Sequence, residues 1–169
     1  MQVSPKCTEL MATSNIILIM YRLKIPLFCL SFFLVIGLNP VFGKGSDIIV
    51  WKSPTCGCCN KWVDHLKENG FRVENRDLGN TAARAKFGIK DEHGSCHTAR
   101  VEGYTIEGHV PAEDIKRLLR DKPEAVGLAV PGMPIGSPGM DGPEYGERVD
   151  NFDVLLIRKG NSPIVFKKY

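Results

Sequence analysis

Short apolar and alternating segments, separated by turn residues, recur along the chain after residue 46. Residues 47–51 form a β-rich run that is typical of a buried strand. Apolar residues then recur at helical spacing, and Asn69-Gly70 is typical of a helix end. The residues of this helical stripe are Cys59, Trp62, Val63 and Leu66. Residues 71–78 alternate apolar or neutral side chains with charged ones, which predicts a second strand.

A short helix over residues 81–87 is predicted next, with Asn80 placed to cap it. Residues 98–101 and 104–110 then have the composition of two strands around a tight Glu102-Gly103 turn. Pro111 is well placed in the first turn of a helix running to about Arg120. The predicted inner face of that helix consists of Ile115, Leu118 and Leu119.

The resulting β-α-β-α-β-β-α order predicts an α/β protein with a thioredoxin-like fold. In that architecture the helix that follows the first strand carries reactive cysteines at its N-terminus. Two further segments extend the pattern. Residues 130–142 form a Gly/Pro-rich loop that contains Met133 and Met140, and residues 152–157 and 164–167 predict a C-terminal β-hairpin.

The N-terminal part of the chain has the pattern of an export signal. Arg22 and Lys24 precede an apolar run over residues 25–38, and small residues follow it near Gly43. The run is shorter than the roughly 20 apolar residues of a membrane-spanning helix. We therefore predict a leader over residues 1–43, removed on export, and a single domain over residues 44–169. An uncleaved anchor is the alternative, and Met20 is a better start for such a signal than Met1.

Charge and composition give no indication of nucleic-acid binding. Removing residues 1–43 takes away three basic residues and one acidic residue, which leaves a net charge near +1. Because no basic patch with interleaved aromatic residues occurs, nucleic-acid binding has no support. The leader also contains Cys7 and Cys29, so the exported chain keeps four cysteines. These are Cys56, Cys58, Cys59 and Cys96.

Three of these cysteines lie within four residues, at the predicted start of the first helix. A helix N-terminus favours the thiolate, which is both the nucleophile of disulfide exchange and a ligand for soft metals. Cys56 and Cys59 have the spacing of a thioredoxin-like redox pair, or of a structural disulfide. Cys58 is the departure from that pattern and favours a metal site, with copper or zinc preferred over an iron–sulfur centre in an oxidising compartment.

Cys96-His97-Thr98 lies at the entry to the third predicted strand, which begins at Thr98. At this place thioredoxin-like proteins usually carry a cis-proline that faces the cysteine turn. A fourth thiol and the His97 imidazole would then face the other three thiols. A solvated loop with a free cysteine is the alternative, but an unpaired exposed thiol is a liability in an exported protein. We therefore expect Cys96 and His97 to take part in the site.

The sequence gives less indication of a role for the remaining histidines and methionines. His93 could support the site or be a polar loop residue, His65 is expected to be a half-exposed helix residue, and no partner for His109 can be named. Met133 and Met140 are thioether donors suited to Cu(I), or else fill the core beneath the Gly/Pro loop.

Three separated motifs make the chain resemble the CopG-type family of copper-resistance proteins, long catalogued only as a metal-binding domain of unknown function. They are residues 51–59, Cys96-His97-Thr98, and the Pro/Gly/Met segment over residues 131–140. The resemblance covers residues 47–167. It implies a thioredoxin-like fold, a periplasmic location beside copper-export systems, and copper bound by the clustered cysteines. Carried over by position, the implied ligands are Cys56, Cys58, Cys59, Cys96 and His97.

Together these features predict a periplasmic, monomeric copper protein with more than one Cu(I) ion per chain. Its partners would be metal ions and other periplasmic copper-handling proteins, with no contact to the membrane after signal cleavage. Zinc is the alternative metal. The competing functions are a thiol–disulfide oxidoreductase that uses Cys56 and Cys59, and a passive copper chaperone with the same ligands.

Overall fold

The computed structural model describes residues 45–169, and in this part of the chain seven strands form one sheet. The strands are β1 (Asp47–Lys52), β2 (Arg72–Arg76), β3 (His97–Val101), β4 (Tyr104–Glu107), β5 (Gly127–Ala129), β6 (Asp153–Ile157) and β7 (Ile164–Lys168). The helices are α1 (Gly57–Glu68), α2 (Thr81–Lys86) and α3 (Ala112–Asp121), with 3-10 turns at Asp91–His93 and Pro143–Tyr145. The predicted α/β class is therefore confirmed.

The strand order in the sheet is β2-β1-β3-β4-β5-β6-β7. The β1–β2 and β4–β5 pairs are parallel, and the other neighbouring pairs are antiparallel. The first four strands with α1 and α3 are compatible with a thioredoxin-like arrangement. The predicted C-terminal hairpin is present as β6 and β7, and it extends the sheet beyond β5.

Helices α1 and α3 cover one face of the sheet and share its main hydrophobic core. The whole predicted stripe of α1 is buried, and Trp62 also donates a hydrogen bond from Nε1 to the Val110 carbonyl at 2.9 Å. This core holds α1, and with it the cysteine turn, firmly against the sheet. Its buried residues from the helices and central strands include Ile48, Val50, Trp62, Val63, Leu66, Ala99, Val101, Ile106, Ile115, Leu118 and Leu128.

The opposite face of the sheet carries polar side chains and the α2 region. Trp51 points away from the main core because side chains alternate along a strand. The centroid of its ring lies 5.2 Å from that of Phe87, the C-cap residue of α2. Thr98 is the β3 partner of Trp51, and Glu107 is the β4 partner of Thr98, so both belong to this second face.

Two predictions about local structure differ from what is observed, and one strand was not predicted. Asn80 precedes α2 but makes no capping hydrogen bond with its side chain, which instead reaches the Ser95 carbonyl at 3.1 Å. The strand predicted over residues 104–110 ends at Glu107, because Gly108 turns the chain with φ of +71°. Strand β5 was not predicted, since three residues of sequence Gly-Leu-Ala carry little strand preference.

The predicted leader, its cleavage point and the preferred start at Met20 lie outside the described residues, so they stay predictions, as does the division into leader and single domain. Within residues 45–169, none of the helices has the length and apolar character needed to cross a membrane.

Candidate metal centre

The cysteine turn lies at the N-terminus of α1, as predicted. Cys56 is the N-cap residue, with extended backbone geometry, and its Sγ accepts a hydrogen bond from the Cys59 backbone N–H at 3.3 Å. Cys59 is fully buried, whereas Cys56 and Cys58 are half-buried. The turn therefore presents two sulfurs toward the surface and holds one beneath them.

Cys56 and Cys59 are joined by a disulfide, with their Cα atoms 5.3 Å apart. The pairing that the Cys56/Cys59 spacing allowed is therefore present, and the four cysteines are not all free thiols in this form of the protein. The reason is geometric: one helical turn from the N-cap brings the two Cα atoms into the range that a disulfide spans. Cys58 and Cys96 keep free thiols.

The four sulfurs nevertheless converge from two segments of the chain. Cys58 Sγ lies 3.5 Å from Cys56 Sγ and 3.9 Å from Cys96 Sγ. All four Sγ atoms lie within 4.8 Å of one another. The structure therefore brings together the four cysteines that the sequence singled out.

Cys96 also contacts two imidazole rings. Its Sγ lies 3.3 Å from Nδ1 of His97 and 3.2 Å from Nε2 of His109. Burial, and then the neighbouring Cys58, raise the pKa of the Cys96 thiol to about 12. In the metal-free protein Cys96 is therefore a protonated thiol, and a bound cation would favour its thiolate.

The hydrogen bonds of His109 fix which of its nitrogens carries the proton. Its Nδ1 lies 2.9 Å from the carbonyl oxygen of Pro138, which can only accept, so Nδ1 is the donor. Burial lowers the pKa of His109, which keeps the ring neutral. Nε2 therefore carries a lone pair directed at Cys96, the state in which a histidine binds metal.

His97 is fully buried beside the sulfurs. Its ring centroid lies 4.2 Å from that of Trp62 and 4.8 Å from that of His109. Its Nδ1 lies on the side of the ring that faces Cys96 Sγ. Its Nε2 is buried and has no hydrogen-bond partner among residues 45–169. Burial, and then His109, lower the pKa of His97 well below its usual value, so this ring is neutral as well.

A buried carboxyl holds the segment that carries Cys96. Glu107 Oε1 accepts a hydrogen bond from the Ser95 backbone N–H at 2.7 Å, and Oε2 accepts one from Thr98 Oγ1 at 2.5 Å. Nη1 of Arg84 lies 3.6 Å from Oε1. Burial raises the pKa of Glu107 to about 7. These contacts fix both sides of Cys96-His97 and so set the direction of the fourth thiol.

The Gly/Pro/Met loop over residues 130–142 packs beside the centre. Gly132 is tied to the segment before Cys96, since its N–H donates to the Gly94 carbonyl at 3.0 Å and its carbonyl accepts from Ser95 Oγ. Gly139 lies against the first turn of α1, where a Cβ atom would come within 2.7 Å of the Cys58 carbonyl oxygen. Together with the Pro138 contact to His109, these contacts place the loop along one side of the sulfur cluster.

The two methionines of this loop differ in environment. Met140 is 7% exposed, and its Sδ accepts a hydrogen bond from Tyr145 at 3.4 Å, so it packs within the loop. Met133 is 51% exposed and follows directly after Gly132. The packing alternative therefore fits Met140, and Met133 is the thioether that faces solvent.

The other histidines lie outside the centre. His65 accepts a hydrogen bond at Nε2 from the Ala112 backbone N–H at 3.1 Å, so it caps the start of α3. His93 lies 3.4 Å from Glu92 and belongs to neither group of potential metal ligands.

His109 is the member of the centre that our sequence reasoning missed. A usable signal was present in the predicted hairpin. Thr98 pairs with Glu107 across it. The same antiparallel register, extended two residues back from Thr98 and two residues on from Glu107, sets Cys96 opposite His109. Extending the register past the strand ends would have found this pair.

Sulfur and neutral imidazole are donors that suit soft and borderline metal ions. Two overlapping groups share Cys96: the four cysteines, and Cys96 with His97 and His109. The buried Nε2 of His97, which has no hydrogen-bond partner among residues 45–169, is consistent with a site that is completed by a bound cation. The residues present therefore fit a metal centre.

Comparison with known proteins agrees with this description. A family model described as a protein of unknown function, DUF411, matches residues 93–140, which include Cys96, His97 and His109. No curated protein matches the chain. Two solved structures, described as copper resistance protein CopG in form 2 and in form 1, are each 40% identical to it. The matches cover 74% and 73% of this chain and 98% and 96% of those chains, with TM-scores of 0.68 and 0.67. With this identity over nearly the full length of both structures, the chain belongs to the CopG family of copper resistance proteins.

Proposed function

We propose that this protein is an exported copper-binding protein of copper resistance that holds Cu(I) at the sulfur cluster. The observation that carries the proposal is the approach of Cys58 Sγ to Cys96 Sγ at 3.9 Å, which joins the helix turn to the facing segment. The proposed ligands are Cys56, Cys58, Cys59 and Cys96, with His97 and His109 beside them.

The donor set favours copper over zinc and favours more than one ion. Thiolates are the preferred ligands of Cu(I), which is stable at low coordination number. A structural zinc site is closed by four ligands in a tetrahedron. Four sulfurs and two imidazole nitrogens exceed that number, and sulfur can bridge two ions. We therefore expect a multinuclear Cu(I) site, with a single zinc ion as the alternative.

The disulfide gives the centre a redox partner within the same turn. Oxidation of the Cys56 and Cys59 thiolates to this disulfide releases two electrons. Two Cu(II) ions can accept one electron each, and both become Cu(I). In this reaction the S–S bond forms and copper is reduced, so the protein would act as a copper oxidoreductase. Stopped-flow mixing of the reduced protein with Cu(II) separates this activity from that of a passive chaperone, which binds copper without turnover.

The proposed location follows from the predicted leader and from the copper-resistance relatives. Export through the signal over residues 1–43 would place the domain in the periplasm as a monomer. Its partners there would be copper ions and other copper-handling proteins.

A second function is favoured by one observation at the same turn. Cys56 is half-buried at the N-cap, and its disulfide partner Cys59 is fully buried. That division fits an attacking thiol and a resolving thiol of a thiol–disulfide oxidoreductase. A disulfide-reductase assay on Cys58→Ser discriminates the two functions: full reductase activity with weakened copper binding would favour the oxidoreductase.

The test of the proposed function is an anaerobic Cu(I) titration of the reduced protein against a competing chelator. We expect Cys58→Ser and Cys96→Ser each to lose copper at chelator concentrations at which the wild type retains it. Thr55→Ala, an exposed change beside Cys56, serves as the control and should behave as the wild type. Equal copper retention in all four proteins would overturn the proposal.

A further inference from the structure

A cavity lies away from the sulfur cluster, between the end of α2, the 3-10 turn at Asp91–His93 and the turn of the β6–β7 hairpin. Its volume is about 760 Å³. None of the potential metal ligands of the cluster lines it. It is therefore a separate feature of the fold.

Positive charge dominates the wall of this cavity. Five cationic side chains line it, against the single carboxylate of Glu92. Lys90 lies 3.5 Å from that carboxylate, whereas within residues 45–169 the other four have no carboxylate within 4.0 Å. The five cations are Lys86, Lys90, Arg100, Arg158 and Lys159.

The two arginines are positioned by neutral acceptors. Arg100 donates from Nη1 to Thr105 Oγ1 at 2.8 Å. Arg158 donates from Nε and Nη2 to the Ser162 carbonyl at 3.1 and 2.7 Å. Each guanidinium is thus held in a defined place while its charge stays uncompensated, which is the preorganisation that an anion site needs.

An aromatic ring gives the cavity an apolar surface beside the cations. The Cζ atom of Arg100 lies 4.8 Å from the ring centroid of Phe87, and Nζ of Lys86 lies 5.5 Å from the same centroid. Val126 and Ile157 also line the cavity. A ligand can therefore meet charge and apolar contact together, as is usual in small-molecule sites.

This concentration of charge does not follow from the overall composition. Residues 44–169 have a net charge near +1, yet four cations without a carboxylate partner share one cavity. Like charges held together repel one another, and a bound anion removes that repulsion.

We propose that this cavity binds a small organic anion with two or more carboxylate or phosphate groups. Its volume lies within the range of small-molecule sites, about 300–1,000 Å³, and exceeds the space that a single simple oxyanion fills. The ligand's charged groups would meet the arginines and lysines, and its carbon skeleton would lie against Phe87.

The test is calorimetric titration of the copper-free protein at constant ionic strength with citrate, with inorganic pyrophosphate and with acetate. We expect saturable 1:1 binding of citrate, pyrophosphate or both, and no saturation by acetate. Citrate alone would identify carboxylate chemistry, and pyrophosphate alone would identify phosphate chemistry. The site is independent of the copper function, so the copper content of the variants below should equal that of the wild type.

Charge-matched variants make the test specific. The double variant Lys86→Gln with Lys159→Gln removes two exposed cations of the cavity and should weaken binding at least tenfold. Lys67→Gln with Lys116→Gln removes the same charge elsewhere and should change binding less than twofold. Equal weakening in both pairs, or no saturable binding of either multivalent anion, would overturn the proposal. Binding of a glutamate-rich peptide without binding of citrate or pyrophosphate would overturn it too, and would assign the surface to an acidic protein partner.

Discussion

Cys96 Sγ and His109 Nε2 lie 3.2 Å apart across the open end of the β3–β4 hairpin. The carbonyl of Pro138 accepts from Nδ1 of the same histidine and so directs the Nε2 lone pair at the thiol. Three elements therefore meet at this pair: the segment before β3, the chain after β4 and the Gly/Pro/Met loop. The histidine that no motif pointed to is as close to the thiol as His97.

His109→Gln should weaken copper retention, because the substitution removes an imidazole donor beside Cys96. We expect a loss of about 10- to 100-fold, as for changes to metal ligands and their supporting groups. The measurement is competition with a Cu(I) chelator, accompanied by thermal unfolding to check folding. His93→Gln, outside the centre, is the control and should bind copper as the wild type does. If the two variants bind alike, His109 has no part in holding copper.

Gly139→Ala should destabilise the protein and displace the loop from the centre. The position has φ of +86°, and an added Cβ would lie 2.7 Å from the Cys58 carbonyl oxygen. Gly70→Ala is the matched control, since Gly70 has φ of +89° and open space around the added carbon. Both substitutions incur backbone strain of about 1–2 kcal/mol. The Gly139 variant should lose at least about 1 kcal/mol more in the free energy of unfolding. Equal losses would mean that the loop does not press on α1.

Met133→Leu and Met140→Leu should separate copper capture from packing. Met140 is buried, so its replacement should change the free energy of unfolding by less than about 1.5 kcal/mol and leave the rate of copper loading unchanged. Met133 is half-exposed, and its replacement should slow copper loading severalfold without changing the thermal midpoint. Stopped-flow loading and thermal unfolding measure the two effects. An unchanged loading rate in Met133→Leu would show that its thioether does not receive copper.

Asp150 should make the protein lose stability in acid. Its Oδ2 accepts from the Ile135 backbone N–H at 3.0 Å, and this bond, followed by Arg148, lowers the pKa of the carboxyl. A lowered folded-state pKa means that the stabilisation is present above the unfolded pKa, near 4, and is lost as pH falls below it. Relative to Asp150→Asn, the wild type should therefore lose its advantage in chemical unfolding below about pH 4.

Arg148→Gln is the control for this prediction, since it leaves the Ile135 bond in place and should keep most of the pH dependence. Parallel pH profiles for the wild type and Asp150→Asn would refute it.

The sequence predicted most of the elements because their patterns are strong and local. The α1 stripe, the α3 inner face and the closing hairpin depend on apolar spacing, and each lies where it was expected. Strand β5 was missed because Gly127–Ala129 is short, and its position depends on pairing with β4 and β6. Local sequence carries little information about such pairing.

The candidate site was predictable to the extent that its residues were clustered in sequence. Cys56, Cys58 and Cys59 form one motif, and the expected facing segment supplied Cys96. His109 was not identified because it is isolated in sequence and reaches the centre only through hairpin register. Asn80 was expected to cap a helix. In the tertiary structure its side-chain amide instead donates hydrogen bonds to the Ser95 carbonyl and to Thr98 Oγ1.

The most direct test of the central claim is metal analysis of the protein purified under reducing conditions in the presence of copper and zinc. With four sulfurs within 4.8 Å of one another, our account predicts more than one copper per chain and little zinc. It also predicts that the double variant Cys58→Ser with Cys96→Ser retains no tightly bound copper. One zinc ion per chain, unchanged by added copper, would contradict the account.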